Sequence, residues 1–266
     1  MDATGGNATA LVTGASGGLG LELSRLLAAD GYDLVLVARR GERLTAIAEE
    51  FQKEYAVSVR GCPADLGSGD GVQAVLDFLS GENITTDILI NNAGVGFFGR
   101  FVDVPQQSLD AMILLNTFAL TRFTRAILPG MLQRKKGHIM NVASTAAFQS
   151  GPLMAVYYAT KAYVLHLSEA LDDECGGSGV HITAFCPGPT RTDFHDSAGM
   201  DSSMPLLKLM DSPTAARIGY RGMLKGKRVV IPGLKNAVMV AFSQRLPRRL
   251  ATRIVHRIQT QRKNKS

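Results

Sequence analysis

Tyr157 and Lys161 stand four positions apart in a chain of 266 residues, and Ser144 precedes the tyrosine by thirteen. Positions i and i+4 of a helix share a face, so this phenol and this ammonium can address one substrate atom. A free phenol titrates near about 10, too high for efficient proton transfer at neutral pH, and a neighbouring cation is expected to lower it. A serine at a strand end can hydrogen-bond the oxygen that gains or loses charge. Together the three side chains suit proton transfer at a carbonyl or hydroxyl oxygen. Tyr158 adjoins Tyr157, and only the spacing to Lys161 chooses between them.

A second group could hold a nucleotide. The run Thr13-Gly14-Ala15-Ser16-Gly17-Gly18-Leu19-Gly20 follows an apolar strand and opens a helix. Glycines there let the backbone approach a pyrophosphate at the helix N-terminus, where unpaired N–H groups and the dipole favour anions. The spacing of Gly14, Gly18 and Gly20 is one residue wider than the usual dinucleotide fingerprint. The second strand ends in Ala38-Arg39-Arg40, where an NAD site carries an acid. With no carboxylate to repel a 2′-phosphate and a guanidinium to pair with it, Arg39 points to NADP. The alternative is that Arg39 and Arg40 are solvated loop charges. Asp65 follows the third strand and either accepts from an adenine amino group or caps the next helix. Asn91-Asn92-Ala93-Gly94 closes the fourth strand with residues small enough for a cofactor to lie against.

The elements that position these groups alternate along the chain. Ala8–Thr13, Leu34–Ala38, Val57–Gly61, Ile88–Asn91, His138–Val142, His181–Phe185 and Val229–Ile231 read as short strands. Helices are predicted over Gly18–Asp30, Glu42–Glu54, 68–80, 106–134 and 156–175, with helical segments between 204 and 225. Continuous apolar strands alternating with helices predict an α/β fold, a parallel sheet covered on both faces. With 45% hydrophobic and 20% charged residues, disorder and low-complexity architectures are excluded. Cys62, Cys175 and Cys186 are far apart, which argues against zinc and disulfides and fits a reducing, cytoplasmic compartment. No metal site is expected, since His138, His166, His181, His195 and His256 do not cluster. Cys186 reads as a small core residue or as a redox thiol beside the site. No apolar stretch approaches the roughly 18 residues of a membrane span, and Met1–Ala10 lacks the pattern of a signal peptide.

In motif order and spacing the chain resembles the short-chain dehydrogenase/reductase family over roughly residues 8–232. The resemblance rests on TGxxxGxG at 13–20, Asp65, NNAG at 91–94, Asn116, Ser144, Tyr157, Lys161 and Pro187-Gly188 with Thr192. It implies a Rossmann-type, doubly wound, seven-stranded parallel sheet and hydride transfer between NADP(H) and a carbonyl or alcohol carbon. It implies Tyr157 as proton donor or acceptor, and Lys161 as binder of the nicotinamide ribose that lowers the tyrosine pKa. Ser144 would orient the substrate oxygen, and Asn116 would hold a water in a relay to Lys161. The cofactor would rest on Gly14, Ser16, Gly18, Leu19, Gly20, Arg39, Asp65, Leu66, Asn92, Ala93, Gly94, Tyr157, Lys161, Pro187, Gly188, Thr190 and Thr192. The helices at 106–134 and 156–175 would pair subunits into a homodimer or homotetramer, or simply cover the core. A lid at Asp193–Leu209, with Met200, Met204, Leu206, Leu207 and Leu209, would suit a hydrophobic carbonyl or alcohol, or surface packing.

Beyond a catalytic domain at 1–232 lies a basic extension at 233–266. The net charge is +6, yet residues 217–266 hold fourteen basic side chains and no acidic one. Pro247 opens a helix in which Leu250, Ile254 and Ile258 recur every four residues beside Arg249, Arg253 and Arg257. Such a helix suits the surface of an anionic membrane or an acidic partner, or packs on its own domain. Without base-reading motifs or stacking aromatics, nucleic acid is not expected as a partner. A second reading is a catalytically vestigial NADP-binding sensor or scaffold that uses this tail to bind a partner or membrane.

Overall fold

The computed structural model describes residues 7–191 and 210–263. Thr192, the lid at Asp193–Leu209 and His195 lie outside the described residues.

Seven parallel strands form one sheet in the order β3-β2-β1-β4-β5-β6-β9. They are β1 (Thr9–Thr13), β2 (Asp33–Ala38), β3 (Val59–Pro63), β4 (Thr86–Asn91), β5 (Gly137–Val142), β6 (Val180–Phe185) and β9 (Val229–Val230). The period-2 geometry of β1 explains why both faces need cover. Ala10 and Val12 enter one core with Leu23, Leu27, Phe51, Phe185 and Met223, whereas Leu11 enters the other with Val75, Phe123, Ile139 and Ile182. The first core is closed by α1 (Gly18–Ala29), α2 (Gly41–Tyr55) and α7 (Ser212–Leu224). The second is closed by α3 (Gly69–Gly81), α5 (Leu120–Arg134) and α6 (Ala155–Glu174), and α4 (Gln106–Ile113) leads toward α5. The strand order reverses between β1 and β4, and ligands of such sheets bind at the carboxyl ends beside that reversal. The glycine turn after β1 and the Asn91–Gly94 run after β4 end at that edge.

Three expectations are corrected here. The third strand starts two residues later than expected, because Ala56 ends α2 in the left-handed region (φ 55°) and Val57 is spent on the turn. Helix 106–134 is interrupted by a π-helical turn over Leu114–Ala119, which periodicity alone does not signal. That same stretch, Gln106–Arg134, is long and apolar enough to cross a membrane by length and composition, contrary to the expectation that none is. Here it covers the sheet, with Leu109, Met112, Ala119, Phe123 and Met131 buried.

β7 (Thr190–Arg191) and β8 (Met210–Asp211) pair in parallel beside the main sheet. The extension forms α8 (Leu234–Arg245) and α9 (Arg248–Lys263). Val240 of α8 and Ala251, Val255 and Gln259 of α9 are buried, so both helices are docked on the body.

Candidate active site

The glycine turn is built for close approach. Gly14 adopts φ +66°, and a Cβ there would come within 2.7 Å of the Asn92 amide nitrogen. Asn92 donates from Nδ2 to the carbonyls of Thr13 (3.0 Å) and Gly14 (3.1 Å), pinning the turn to the end of β4. Thr13 Oγ1 accepts from the backbone N–H of Asn92 and of Ala93, both at 3.0 Å. Asn92 and Ala93 are therefore structural partners of Gly14 as well as neighbours of the crevice. Gly17 caps α1 without a side-chain hydrogen bond, and no acidic residue occupies the helix's first turn. Leu19 packs partly against the core.

The two arginines after β2 are exposed, and Arg40 rather than Arg39 reaches the turn, its guanidinium 3.4 Å from Ser16 Oγ. Sequence reasoning gave the 2′-phosphate to Arg39, and Arg40 stands beside it. Asp65 is not the cap of α3: Ser68 takes that place, accepting from Gly71 N at 3.1 Å, while Asp65 Oδ1 accepts from Gly67 N at 3.0 Å. Leu66 turns its side chain into the core, leaving only its backbone to the crevice edge.

The catalytic candidates converge on the ends of β4, β5 and β6. Ser144 follows β5 and caps the 3-10 turn Thr145–Phe148, its Oγ accepting from Ala146 N at 3.1 Å. It hydrogen-bonds the Tyr157 phenol and lies 3.5 Å from the carbonyl of Pro187, which also accepts from Thr145 N at 2.9 Å. Pro187-Gly188 is thereby tied to Ser144, and Thr190 Oγ1 donates to Gly188 O at 2.9 Å. Lys161, 5% exposed, donates to Val142 O at 2.8 Å, with its Nζ 5.8 Å from the Tyr157 ring centroid. Gly94 leaves the space in front of it open: a Cβ there would stand 3.4 Å from Lys161 Nζ and 3.1 Å from Asn116 Oδ1.

Asn116 lies in the π-helical turn, which aims its buried side chain across to α6. It donates to Val95 O (2.9 Å) and Thr160 Oγ1 (3.0 Å) and accepts from Val95 N (2.9 Å). It therefore braces the loop after Gly94 against the helix that carries Tyr157 and Lys161.

Burial pushes the Tyr157 phenol up to about 12, with the Ser144 hydrogen bond opposing it. Burial pulls the Lys161 ammonium down to about 8, and it pushes the neighbouring Cys186 thiol up to about 12. Burial thus works against the depression expected from Lys161. The ammonium donates to Val142 O and stands over the Tyr157 ring. Cys186, fully buried among Val164, Leu165 and Ala184, is a core residue and not a redox thiol.

The adjacent tyrosines part company. Tyr158 accepts from Gln259 Nε2 of α9 at 3.1 Å and lines a groove of about 810 Å³ on the other side of α6, with Ala159, Ala162, Leu246 and Arg248. Tyr157 and Lys161 do not line that groove. Sequence reasoning also missed Gln259, the buried pair Asn91–Asn141 (2.8 Å) that links β4 to β5, and Asn236 of α8 against Gly188.

A model of the family described as short chain dehydrogenase matches residues 8–202. The chain belongs to that family. As a short-chain dehydrogenase it is 34% identical over 188 residues to a very-long-chain 3-oxoacyl-CoA reductase of Anas platyrhynchos, covering 68% of this chain and 59% of that protein. The chain thus spans about three fifths of the length of the curated relatives it matches. Among solved structures it is similar to a short-chain dehydrogenase from Sphingobium yanoikuyae in complex with NADPH. That likeness has 35% identity and a TM-score of 0.81 over 90% of this chain and 96% of that one. It is also similar to a bulky-bulky ketone specific alcohol dehydrogenase from Comamonas testosteroni, at 32% identity and a TM-score of 0.76 over 90% and 95%.

The residues present fit a dinucleotide. The glycine cradle, the acid-free start of α1, Arg40 beside Ser16 and the space at Gly94 in front of Lys161 lie along one crevice edge.

Proposed function

We propose that the protein is an NADP(H)-dependent oxidoreductase that reduces a hydrophobic ketone at a Ser144–Tyr157–Lys161 centre. The observation that carries this is the hydrogen bond between Ser144 and Tyr157 on a helix face shared with a buried lysine. NADPH, when bound, supplies the hydride. Gly14, Ser16, Gly18, Leu19 and Gly20 would hold its pyrophosphate, Arg39 and Arg40 its 2′-phosphate, and Asp65 and Leu66 its adenine end. Asn92, Ala93, Gly94, Pro187, Gly188, Thr190 and Thr192 would hold the nicotinamide half.

Tyr157 donates its proton to the carbonyl oxygen as that oxygen gains negative charge, and Ser144 hydrogen-bonds the same oxygen. Burial keeps the Tyr157 phenol protonated through the neutral range, so it carries the proton that reduction of a carbonyl requires. The Lys161 ammonium binds the nicotinamide ribose and stabilises the phenolate left after donation. Asn116 keeps Lys161 and Tyr157 in register and marks the place for a relay water.

A hydrophobic substrate agrees with Phe97, Phe98, Phe101 and Val102 on the segment leading away from Gly94, the last two exposed. That segment is tied to the approach to the catalytic helix by Gly99 N donating to Leu153 O at 2.8 Å. It also agrees with the names of the relatives above. Exposed Ile113, Phe118 and Tyr163 on the 106–134 stretch and α6 support pairing of two chains through these helices. Buried free cysteines agree with work in the cytoplasm. A vestigial binder has nothing in its favour, since Ser144, Tyr157 and Lys161 are all kept and placed together.

Purified protein with NADPH and a panel of bulky ketones and 3-oxoacyl thioesters tests the reading. Consumption of NADPH with at least one of them is expected. NADPH binding without turnover on any of them would favour the non-catalytic reading.

A further inference from the structure

At about 100° per residue, α9 divides into three parallel stripes. Ala251, Val255 and Gln259 are buried against the body. Next to them runs an exposed aliphatic row, Leu250, Ile254 and Ile258, the last 43% exposed. Beyond it runs a row of arginines, Arg249, Arg253 and Arg257, all exposed. The sequence left open whether the aliphatic row packs on the protein. The body takes the neighbouring stripe, and the row stays partly exposed, Leu250 at 46% and Ile254 at 38%.

On α8 a matching row is more exposed still. Leu234 is 81% and Phe242 63% exposed, Val238 lies between them, and Arg245 continues the stripe. Apolar side chains left in water at i, i+4 spacing on two successive helices mark an interaction surface. Its occupant is indicated by charge. No acidic residue follows Asp211, so every charged neighbour of the apolar rows on their own helices is basic. A second copy presenting the same face would meet the same arginines, which opposes self-association there.

We propose that α8 and α9 dock the folded protein on an anionic lipid surface, the aliphatic rows entering the headgroup boundary and the arginines pairing with phosphates. The helices need not unfold or leave the body, because the stripe that holds α9 to Tyr158 and Met154 is a different one. This proposal stands on exposure and charge alone and is independent of the reaction assigned to the site.

The test is co-sedimentation of the full chain with vesicles of phosphatidylcholine alone or mixed with phosphatidylglycerol, at low and high salt. Deleting α9 is a poor control, since it also removes the buried stripe. Two exposed-surface variants serve instead: Val238→Ser/Phe242→Ser/Ile254→Ser, and Arg249→Glu/Arg253→Glu/Arg257→Glu. The unmodified protein is expected to pellet with the anionic vesicles at low salt, to be released by high salt, and to ignore neutral vesicles. Each engaged basic side chain contributes roughly fivefold in partitioning, so the charge variant should lose on the order of a hundredfold or more. Both variants should keep their melting temperature. An unmodified chain left in the supernatant at low salt, or a charge variant that pellets equally well, overturns the proposal. So does a serine variant that binds vesicles unchanged but alters oligomeric state by light scattering, which would make the rows a contact between copies.

Discussion

Gln259 Nε2 donates to the Tyr158 hydroxyl across 3.1 Å, although 101 residues separate the two in sequence. The last helix is thereby fastened one residue away from the proton donor, and Tyr158 acquires a structural role distinct from that of Tyr157. Removing a partly buried hydrogen bond costs about 0.5–1.5 kcal/mol, which in a chain of this size lowers Tm by roughly 1–3 °C. Gln259→Leu and Tyr158→Phe should each show a loss of that order in thermal melts and retain turnover. Loss of turnover from Tyr158→Phe, with the fold intact, would contradict this division.

Cofactor choice should follow the two arginines. A preference for NADPH over NADH is expected, and Arg40→Ala should reduce NADPH affinity about ten- to hundredfold. That is the range of hydrogen bonds to charged groups, about 1.5–3 kcal/mol. Adding Ala38→Asp and Arg39→Ala should reverse the preference. Titration of each variant with both nucleotides decides it, and equal affinity of the unmodified protein for the two would refute it.

Gly94→Ala tests the space in front of Lys161. The added methyl would stand 3.4 Å from Lys161 Nζ and 3.1 Å from Asn116 Oδ1, so the Asn116 side chain, which braces the catalytic helix, must give way by a few tenths of an ångström. A fall of roughly tenfold in kcat/KM is expected, since small misplacements in a catalytic set are costly. The melting temperature should change little; a fully active variant would remove Gly94 from the site.

His138 on β5 stacks on His181 of β6, ring centroids 5.6 Å apart. Burial, with His181 and Lys136 adding to it, holds His138 below its ordinary value of 6.5, against a backbone hydrogen bond with Met223. The unfolded chain therefore takes up this proton more readily than the folded one. The contribution of His138 to stability is complete above 6.5 and is lost as pH falls through that value to the depressed one. Urea midpoints between about pH 8 and about pH 5 should fall more steeply for the unmodified chain than for His138→Gln. Parallel slopes would show that His138 is not responsible.

Much of this was legible because the motifs lie at strand ends, where sequence order and spatial order coincide. Gly14, Gly94 and Ser144 could be placed from the alternation of strands and helices, and Lys161 from its helical spacing to Tyr157. What could not be read depends on contacts between distant segments. Asn116 is aimed by a π-helical turn with no periodic signature, and Gln259 meets Tyr158 only once α9 has folded back. The directions of the pKa shifts were illegible for a related reason. The i+4 spacing brought Lys161 and Tyr157 to one face, but burial of both, and the carbonyl of Val142 as the lysine's acceptor, decide the direction of their pKa shifts.

The most direct test of the assigned centre compares the unmodified protein, Tyr157→Phe and Tyr158→Phe in NADPH-dependent reduction of a bulky ketone, with NADPH affinity measured alongside. General acid catalysis is worth about 10²–10⁴-fold, so Tyr157→Phe should lose about a thousandfold in kcat while binding NADPH nearly as before. Tyr158→Phe should stay within a few-fold of the unmodified protein. Near-full turnover by Tyr157→Phe, or its loss from Tyr158→Phe instead, would contradict the account.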